Sequence, residues 1–505
     1  MSEEYKRMSG SSIKWLFFLG VLGIGLLCFF TVVHPLYIYD TDDWTYISYS
    51  RHAWPTIKEW NPTKILPETL MPLTAEIGLK FIMPLTKDYI GSMAIAFAII
   101  LVLFILAYIY QMGRVLEKMF SIKIENIFSI LIIFLLFHFL PFSVNITDNV
   151  YMFYGGSVNC TFNYLIPGLI NATMVMYMLT NDFGRKNGCY GVLILVIYLC
   201  LNSNMFHSIL LAVFAATNIL FSLIKRIYQE KRFNIKYILN TKFIKENIFW
   251  IGIDIVWFFM IIFEMQGKRA ARAATSIFEL PIKETFIKFI NSFISLNKIY
   301  LISMLGFIII GLMFCFFYSC KVKWKLNESE CRYILVIIKI VICFIITCIY
   351  QILLCAKVSP SYILGNLVSF TWLFWLMLLA FISITYVVSK VPKVVICLPL
   401  LIYILMFETI IDGRSYAENN VAGLKAETIK ALDENIVRQV VEAEKRGVDT
   451  VNVHVPVHNS EDWPIALSYG GGRIATTLYR HGVIRKPISV NLIMDYNINE
   501  EFDID

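Results

Sequence analysis

Charge is what this chain has least of. Asp, Glu, Lys and Arg make up 16% of the 505 residues and hydrophobic residues 58%, and a mean hydropathy of +0.67 excludes an ordinary soluble surface. Cysteine is absent from the tail, 412–505, and the eleven cysteines lie mostly within apolar runs, so neither a disulfide framework nor a zinc spacing is visible. No small-residue cleavage site follows the first apolar run, which predicts a retained signal anchor. No short-period repeat marks a solenoid. The net charge of +7 and pI of about 8.7 come from basic residues in short loops and give no reason to expect nucleic acid.

What is present is a series of apolar runs from Trp15 to Ile411. Crossing a hydrocarbon core takes about 20 such residues. The expected fold class is mainly α, a polytopic transmembrane helical bundle over 1–411 of about eleven spans, followed by a small extracytoplasmic α/β domain over 412–505. The spans are read at 15–34, 89–110, 125–141, 163–180, 189–204, 208–224, 248–264, 299–319, 333–354, 367–388 and 393–411. They are nearly free of charge apart from Asp254 in "IGIDIVWFF". Lys6, Arg7 and Lys14, then Arg114, Lys118 and Lys123, then the basic segment after the sixth span and the group Lys321 to Arg332 all share one side if the N-terminus is cytoplasmic. An odd span count puts the tail outside with the loops 35–88, 142–162 and 265–298.

The first outer loop opens with "DTDDW", and its "WTYISYSRHAWPTIKEW" has the spacing of an interfacial helix. The loop at 265–298 begins "MQGKRAARAATS" and continues into an amphipathic "FIKFINSFISL". In the tail, "AETIKALDENIVRQVVEAEKRG" predicts a helix ending at Gly447, "DTVNVHVPV" and "PISVNLIMD" predict strands, and "GGGRIATTLYRHG" predicts a glycine turn into a second helix.

Three clusters carry candidate chemistry. Asp40, Asp42 and Asp43 sit where the first span ends. Asp40 or Thr41 can cap a helix, with the other acids favouring its N-terminal end; equally, a carboxylate there can act as a general base on an acceptor hydroxyl, and a second can hold a divalent cation, Mg or Mn. If a metal is bound, Asp42 and Asp43 are the expected ligands. Lys268, Arg269 and Arg272 lie outside the seventh span against the positive-inside trend, as snorkelling residues or as ligands for a donor phosphate. In "DNVYMFYGGSVNCTFNYLIPG", Gly155 and Gly156 permit a tight turn, the aromatics Tyr151, Phe153, Tyr154 and Tyr164 are expected to stack on a sugar face, and Asn159 and Asn163 to bond its hydroxyls, with Trp44 as a further contact. "AKVSPSYILGN" is a candidate re-entrant lip with Lys357, Ser359 and Tyr362, of which Lys357 and Ser359 are expected as further substrate contacts. His52 and His207 read as interfacial, and His454 and His458 lack a third metal ligand. The glycines of "GGGRIATTLYRHG" lack the P-loop lysine and serine, so nucleotide binding is not expected.

An acidic motif directly after the first span, a long first outer loop, about ten further spans and an external C-terminal domain resemble the bacterial C-type membrane glycosyltransferases (the GT-C fold), which use polyprenyl-phosphate sugars. "YGGSVNCTFNYLIPG" looks like a glycine, asparagine and tyrosine motif of that group, and the overall plan is similar to that of the O-antigen glucosyltransferases of serotype conversion. The resemblance implies that a first-loop aspartate, Asp42 or Asp43, is base or metal ligand, with Asp40 nearer the lipid. It also implies a polyprenyl-phosphate sugar donor and a cell-envelope glycan acceptor such as O-antigen or teichoic acid. A polyprenyl-phosphate glycosyltransferase and a flippase would be working partners, in the membrane lipid of the bacterial cytoplasmic membrane. The alternatives are a transporter or flippase of lipid-linked saccharide, or a non-catalytic polymer-assembly protein.

Overall fold

The computed structural model describes residues 2–50, 53–55, 60–120, 122–143, 149–181, 190–230, 241–266, 279–321, 328–411, 413–414, 416, 424–458 and 463–504. The chain is mainly helical. Among the described residues nine helices are long and apolar enough to cross a membrane, at Ser11–Val33, Tyr89–Phe120, Val158–Thr180, Met205–Gln229, Thr241–Met265, Lys298–Phe317, Glu330–Val358, Asn366–Lys390 and Pro392–Thr409. Two shorter apolar helices, Ile124–Leu136 and Gly191–Leu201, stand where the third and fifth spans are expected. Asn366–Lys390 is the bundle's axis: Trp372, Trp375 and Tyr386 are fully buried in it. Thr241–Met265 and Pro392–Thr409 lie at the periphery, with Phe258, Phe259, Tyr403 and Phe407 exposed, as lipid-facing side chains are.

One further charge sits inside a span. Lys339 lies well within Glu330–Val358, its Nζ donating to Asn218 Oδ1 at 2.5 Å and 4.7 Å from the Phe214 ring centroid. A single lysine among Ile, Val, Leu and Cys leaves the run apolar enough to read as a span.

The two ends of the bundle differ. At one, Lys14 pairs with Glu125 at 2.5 Å and Lys118 donates to Asn181 Oδ1 at 2.9 Å. At the other lie the acidic motif, the "YGGSVNC" turn and the tail. The expected interfacial helix stops early: Thr41–Tyr46 is helical, His52 lies outside the described residues, and the long helix of this loop is instead Ile65–Ile77. The amphipathic segment of the later loop is helical over Ile282–Ile294, burying Phe289 and exposing Phe286, Ile287 and Ile290.

The tail forms a small α/β unit. Helix Ala426–Lys445 precedes strand β1, Thr450–Val455, which pairs in parallel with β2, Ser489–Met494, in register Thr450 to Ser489. Helix Gly470–Arg480 makes the crossover, as a parallel pair requires. Its glycines are not a turn but the first turn of the helix. A Cβ on Gly471 would stand 2.2 Å from the Val490 carbonyl oxygen, so glycine is there to let helix and strand approach.

Candidate functional site

The acids of "DTDDW" have three different environments. Asp40 is the N-cap of Thr41–Tyr46, its Oδ1 accepting from the Asp43 amide at 2.9 Å. Asp43 is wholly buried. Its carboxylate accepts from the amides of Tyr39 at 2.8 Å, Val158 at 3.3 Å and Asn159 at 2.5 Å, and so sits on the N-terminus of Val158–Thr180, where the helix dipole favours an anion. Burial, and then the neighbouring Asp40, push the Asp43 carboxyl well above its ordinary value against those three amides. Asp42 is exposed, with Asn159 Nδ2 at 3.5 Å from its Oδ2.

Asp43 therefore joins the two motifs that stand out in the sequence. Gly156, at φ +75°, makes the turn into the Ser157 N-cap, and helix Val158–Thr180 starts against the acid. Asn159 Oδ1 then accepts from Asn163 Nδ2 at 2.6 Å, and the Asn163 carbonyl accepts from Asn204 Nδ2 at 2.7 Å.

Asp42, Asn159, Asn163 and Tyr164 line a cavity of about 430 Å³, together with Tyr46, Lys64, Ser361, Tyr362 and Asn366. The far wall is the 3₁₀ turn Pro360–Leu364 and the start of Asn366–Lys390. That lip was expected, with Tyr362 among its residues. Ser361 and Tyr362 line the cavity, whereas Ser359 is one step back, bonded to Ser361 Oγ at 2.9 Å, and Lys357 ends the preceding helix. Trp44 is core, 1% exposed, because it lies on the buried face of a helix whose other face carries Asp42. Tyr154 lines a separate cleft of about 50 Å³ with His34, Gly156 and Ile429. Lys268, Arg269 and Arg272 lie outside the described residues. Lys64, which sequence reasoning missed, is the cation on the cavity wall among the described residues. Its signal was weak: a lysine between Thr63 and Ile65 in a loop.

Below the cavity, between helices Met205–Gln229, Thr241–Met265 and Glu330–Val358, runs an apolar groove of about 710 Å³ lined by Ile209, Ala212, Ala216, Ile251, Phe258 and Ile346, with Asp254 at its wall. The two spaces have no lining residue in common, but the first residues of helix Met205–Gln229, Met205 and Phe206, contact the linings of both. Tyr350 of the groove donates to the Met205 carbonyl at 3.3 Å, and the Phe206 ring lies 6.2 Å from Tyr164 and 6.3 Å from Tyr362 of the cavity. His207, the next residue, is buried, not interfacial; its Nε2 donates to the Leu367 carbonyl at 2.9 Å.

Among the described residues no three of His, Cys, Asp and Glu converge as a metal site; a cation at the acids would have Asp42 as its exposed ligand, since Asp43 is already taken by three amides. Set against known proteins, the chain matches no family model, no curated sequence and no solved structure.

Proposed function

We propose that this protein is a membrane glycosyltransferase that moves a sugar from a polyprenyl-phosphate donor to a cell-envelope glycan on the outer face of the bacterial cytoplasmic membrane, through about eleven spans with the N-terminus inside. One observation carries the reading: an exposed carboxylate, Asp42, opens on a cavity lined by Lys64, Asn159 and Asn163, and an apolar groove inside the bundle lies beyond the first residues of helix Met205–Gln229, which contact the linings of both. A lipid-linked sugar has those two halves.

In this reading Asp42 takes the proton from the acceptor hydroxyl. The freed oxygen attacks the anomeric carbon, the bond from that carbon to the phosphate oxygen breaks, and polyprenyl phosphate leaves with the bonding pair, inverting the configuration. Lys64 neutralises the departing phosphate. Asn159 and Asn163 bond sugar hydroxyls, and Tyr164 and Tyr362 present ring faces to the sugar. The basic residues Lys14, Arg114 and Lys118 then lie on the cytoplasmic side, where nucleotide sugars would be available but a flipped lipid donor would not.

The test is envelope glycan composition by mass spectrometry in a deletion strain complemented with wild type, Asp42→Asn or Asp43→Asn at matched membrane abundance. The reading requires that Asp42→Asn fail to restore a sugar that wild type restores. Full restoration removes it.

A second reading, transport of a lipid-linked saccharide, is favoured by the ionisable residues inside spans, Lys339 against Asn218 and Asp254 at the groove. It requires Lys339→Met or Asp254→Asn to abolish function while Asp42→Asn leaves it intact.

A further inference from the structure

The acid helix Thr41–Tyr46 has six residues, too few to hold itself in water. Its N-terminal end is fixed by Asp40 and by Asp43 on Val158–Thr180. Its C-terminal carbonyls have no helical partners of their own, and they are met by one face of the tail's crossover helix. Thr477 Oγ1 donates to the Trp44 carbonyl at 2.6 Å and accepts from Ser48 Oγ at 2.7 Å. His481 Nε2 donates to the Ile47 carbonyl at 3.2 Å, and Arg480 Nη1 donates to the Ser48 carbonyl at 2.9 Å. At the other end of the acid helix the Ala466 amide donates to Thr41 Oγ1 at 2.6 Å.

Burial lowers the pKa of His481, against its bond to the Ile47 carbonyl, and so favours the neutral ring. A carbonyl on Nε2 demands a proton there, which leaves Nδ1 to accept from the Tyr89 hydroxyl at 2.7 Å. Tyr89 begins the second long helix, next to Asp88, which pairs with Lys430 of the tail at 2.5 Å. The tail is thus bonded both to the acid helix and to the bundle beneath it.

We propose that the C-terminal domain is the positioning element of the candidate site, with Thr477, His481 and Arg480 capping the acid helix from outside so that Asp42 is held at the cavity. The proposal rests on the glycosyltransferase reading for its chemical consequence and on geometry alone for the cap. It assigns the tail a role in setting the base. Thr477 is the central residue: it is 1% exposed, and its single hydroxyl serves two groups of the first loop at once.

The experiment uses the full chain in detergent. Hydrogen–deuterium exchange of peptides covering 39–50 is compared among wild type, Thr477→Val, Thr477→Ser and the milder Arg480→Met, with the strand peptides over 450–455 and 489–494 as the control for folding of the tail. Each variant is also scored for the envelope sugar in the complemented deletion strain. The expectation is faster exchange over 41–48 in Thr477→Val with the strands unchanged, a sugar yield lower by about 10–100-fold, as misplacement of a reacting group by about 1 Å produces, and recovery of both in Thr477→Ser. Should Thr477→Val unfold the tail, Arg480→Met against wild type decides by the same two readouts. Unchanged exchange over 41–48 overturns the cap. Faster exchange with undiminished sugar overturns the positioning role. If Asp42→Asn also retains full sugar, the enzyme reading fails with it, while the exchange data still decide the cap.

Discussion

The cavity and the groove both adjoin the start of helix Met205–Gln229 and are built in opposite ways. The cavity is made of ends: the first turns of Thr41–Tyr46 and Val158–Thr180, the residue before Ile65–Ile77, and the 3₁₀ turn before Asn366–Lys390. Helix ends favour short polar and charged side chains that cap them or bond nearby backbone groups, and here such ends bring Asp42, Lys64, Asn159, Asn163 and Asn366 to one space. The groove is made of helix middles, whose backbones are satisfied and whose small residues, Ala212 and Ala216, leave room against Ile251 and Phe258. Under the proposed function, the pairing means that a lipid-linked donor needs no special pocket for its tail. Three helices that fail to close leave one, and the chemistry gathers where helices stop.

The strongest way to break this division is at Asp42. Loss of its charge in Asp42→Asn should cut sugar transfer by about 10²–10⁴-fold, the usual contribution of a general base, with membrane abundance unchanged by immunoblot. A smaller effect is expected at Lys64→Gln, which should weaken donor use by about 10–100-fold, as losing a hydrogen bond to a charged group does. Donor titration in membranes should show this as a raised KM, and Lys64→Arg should recover most of it. The groove is probed by Ala212→Trp, which fills it from the Met205–Gln229 helix. Donors with long prenyl chains should lose about tenfold in use, while a donor with a two-isoprene chain should be unaffected; equal losses for both would separate the groove from the donor.

The smallest effect concerns the junction beneath the acid helix. Asp433 of the tail is buried, among the described residues its Oδ2 has no hydrogen-bond partner, and burial, then Asp43 and Glu434, push its carboxyl well above 3.8. A carboxyl raised in the folded state favours folding while protonated, so its contribution is greatest below its ordinary value and is lost as pH rises toward the folded one. Asp433→Asn should therefore raise the melting temperature of the detergent-solubilised protein at pH 7 to 8 and leave it unchanged near pH 3. A lower melting temperature at pH 8 would mean that the ionised carboxylate is held by a favourable contact.

Much of this plan was legible along the chain because hydropathy and periodicity are local. The long apolar helices, the amphipathic Ile282–Ile294 and the strand–helix–strand order of the tail follow from runs of 5 to 30 residues or so. The interfacial helix did not follow beyond Tyr46, since spacing alone does not say which of two amphipathic stretches in a loop will find a surface to pack on. Lys339 was passed over because the apolar residues around it keep the hydropathy of the run high. Trp44 and Tyr154 looked like sugar platforms because aromatic residues beside acids suit that role, yet each belongs to packing that depends on distant segments.

Composition and order by themselves determined that this chain lives in a membrane, that its polar segments emerge at helix ends, and that an acidic motif, an asparagine-rich turn and an α/β tail are its distinctive pieces. Only the tertiary structure decided which acid is available. Asp42 and Asp43 are chemically identical neighbours, but side chains one step apart on a helix point about 100° apart. Asp43 turns inward to amides 115 and 116 residues along the chain, and Asp42 turns outward to the cavity. That choice, like the capping of the same helix by Thr477 some 433 residues away, is made by contacts that no local pattern encodes.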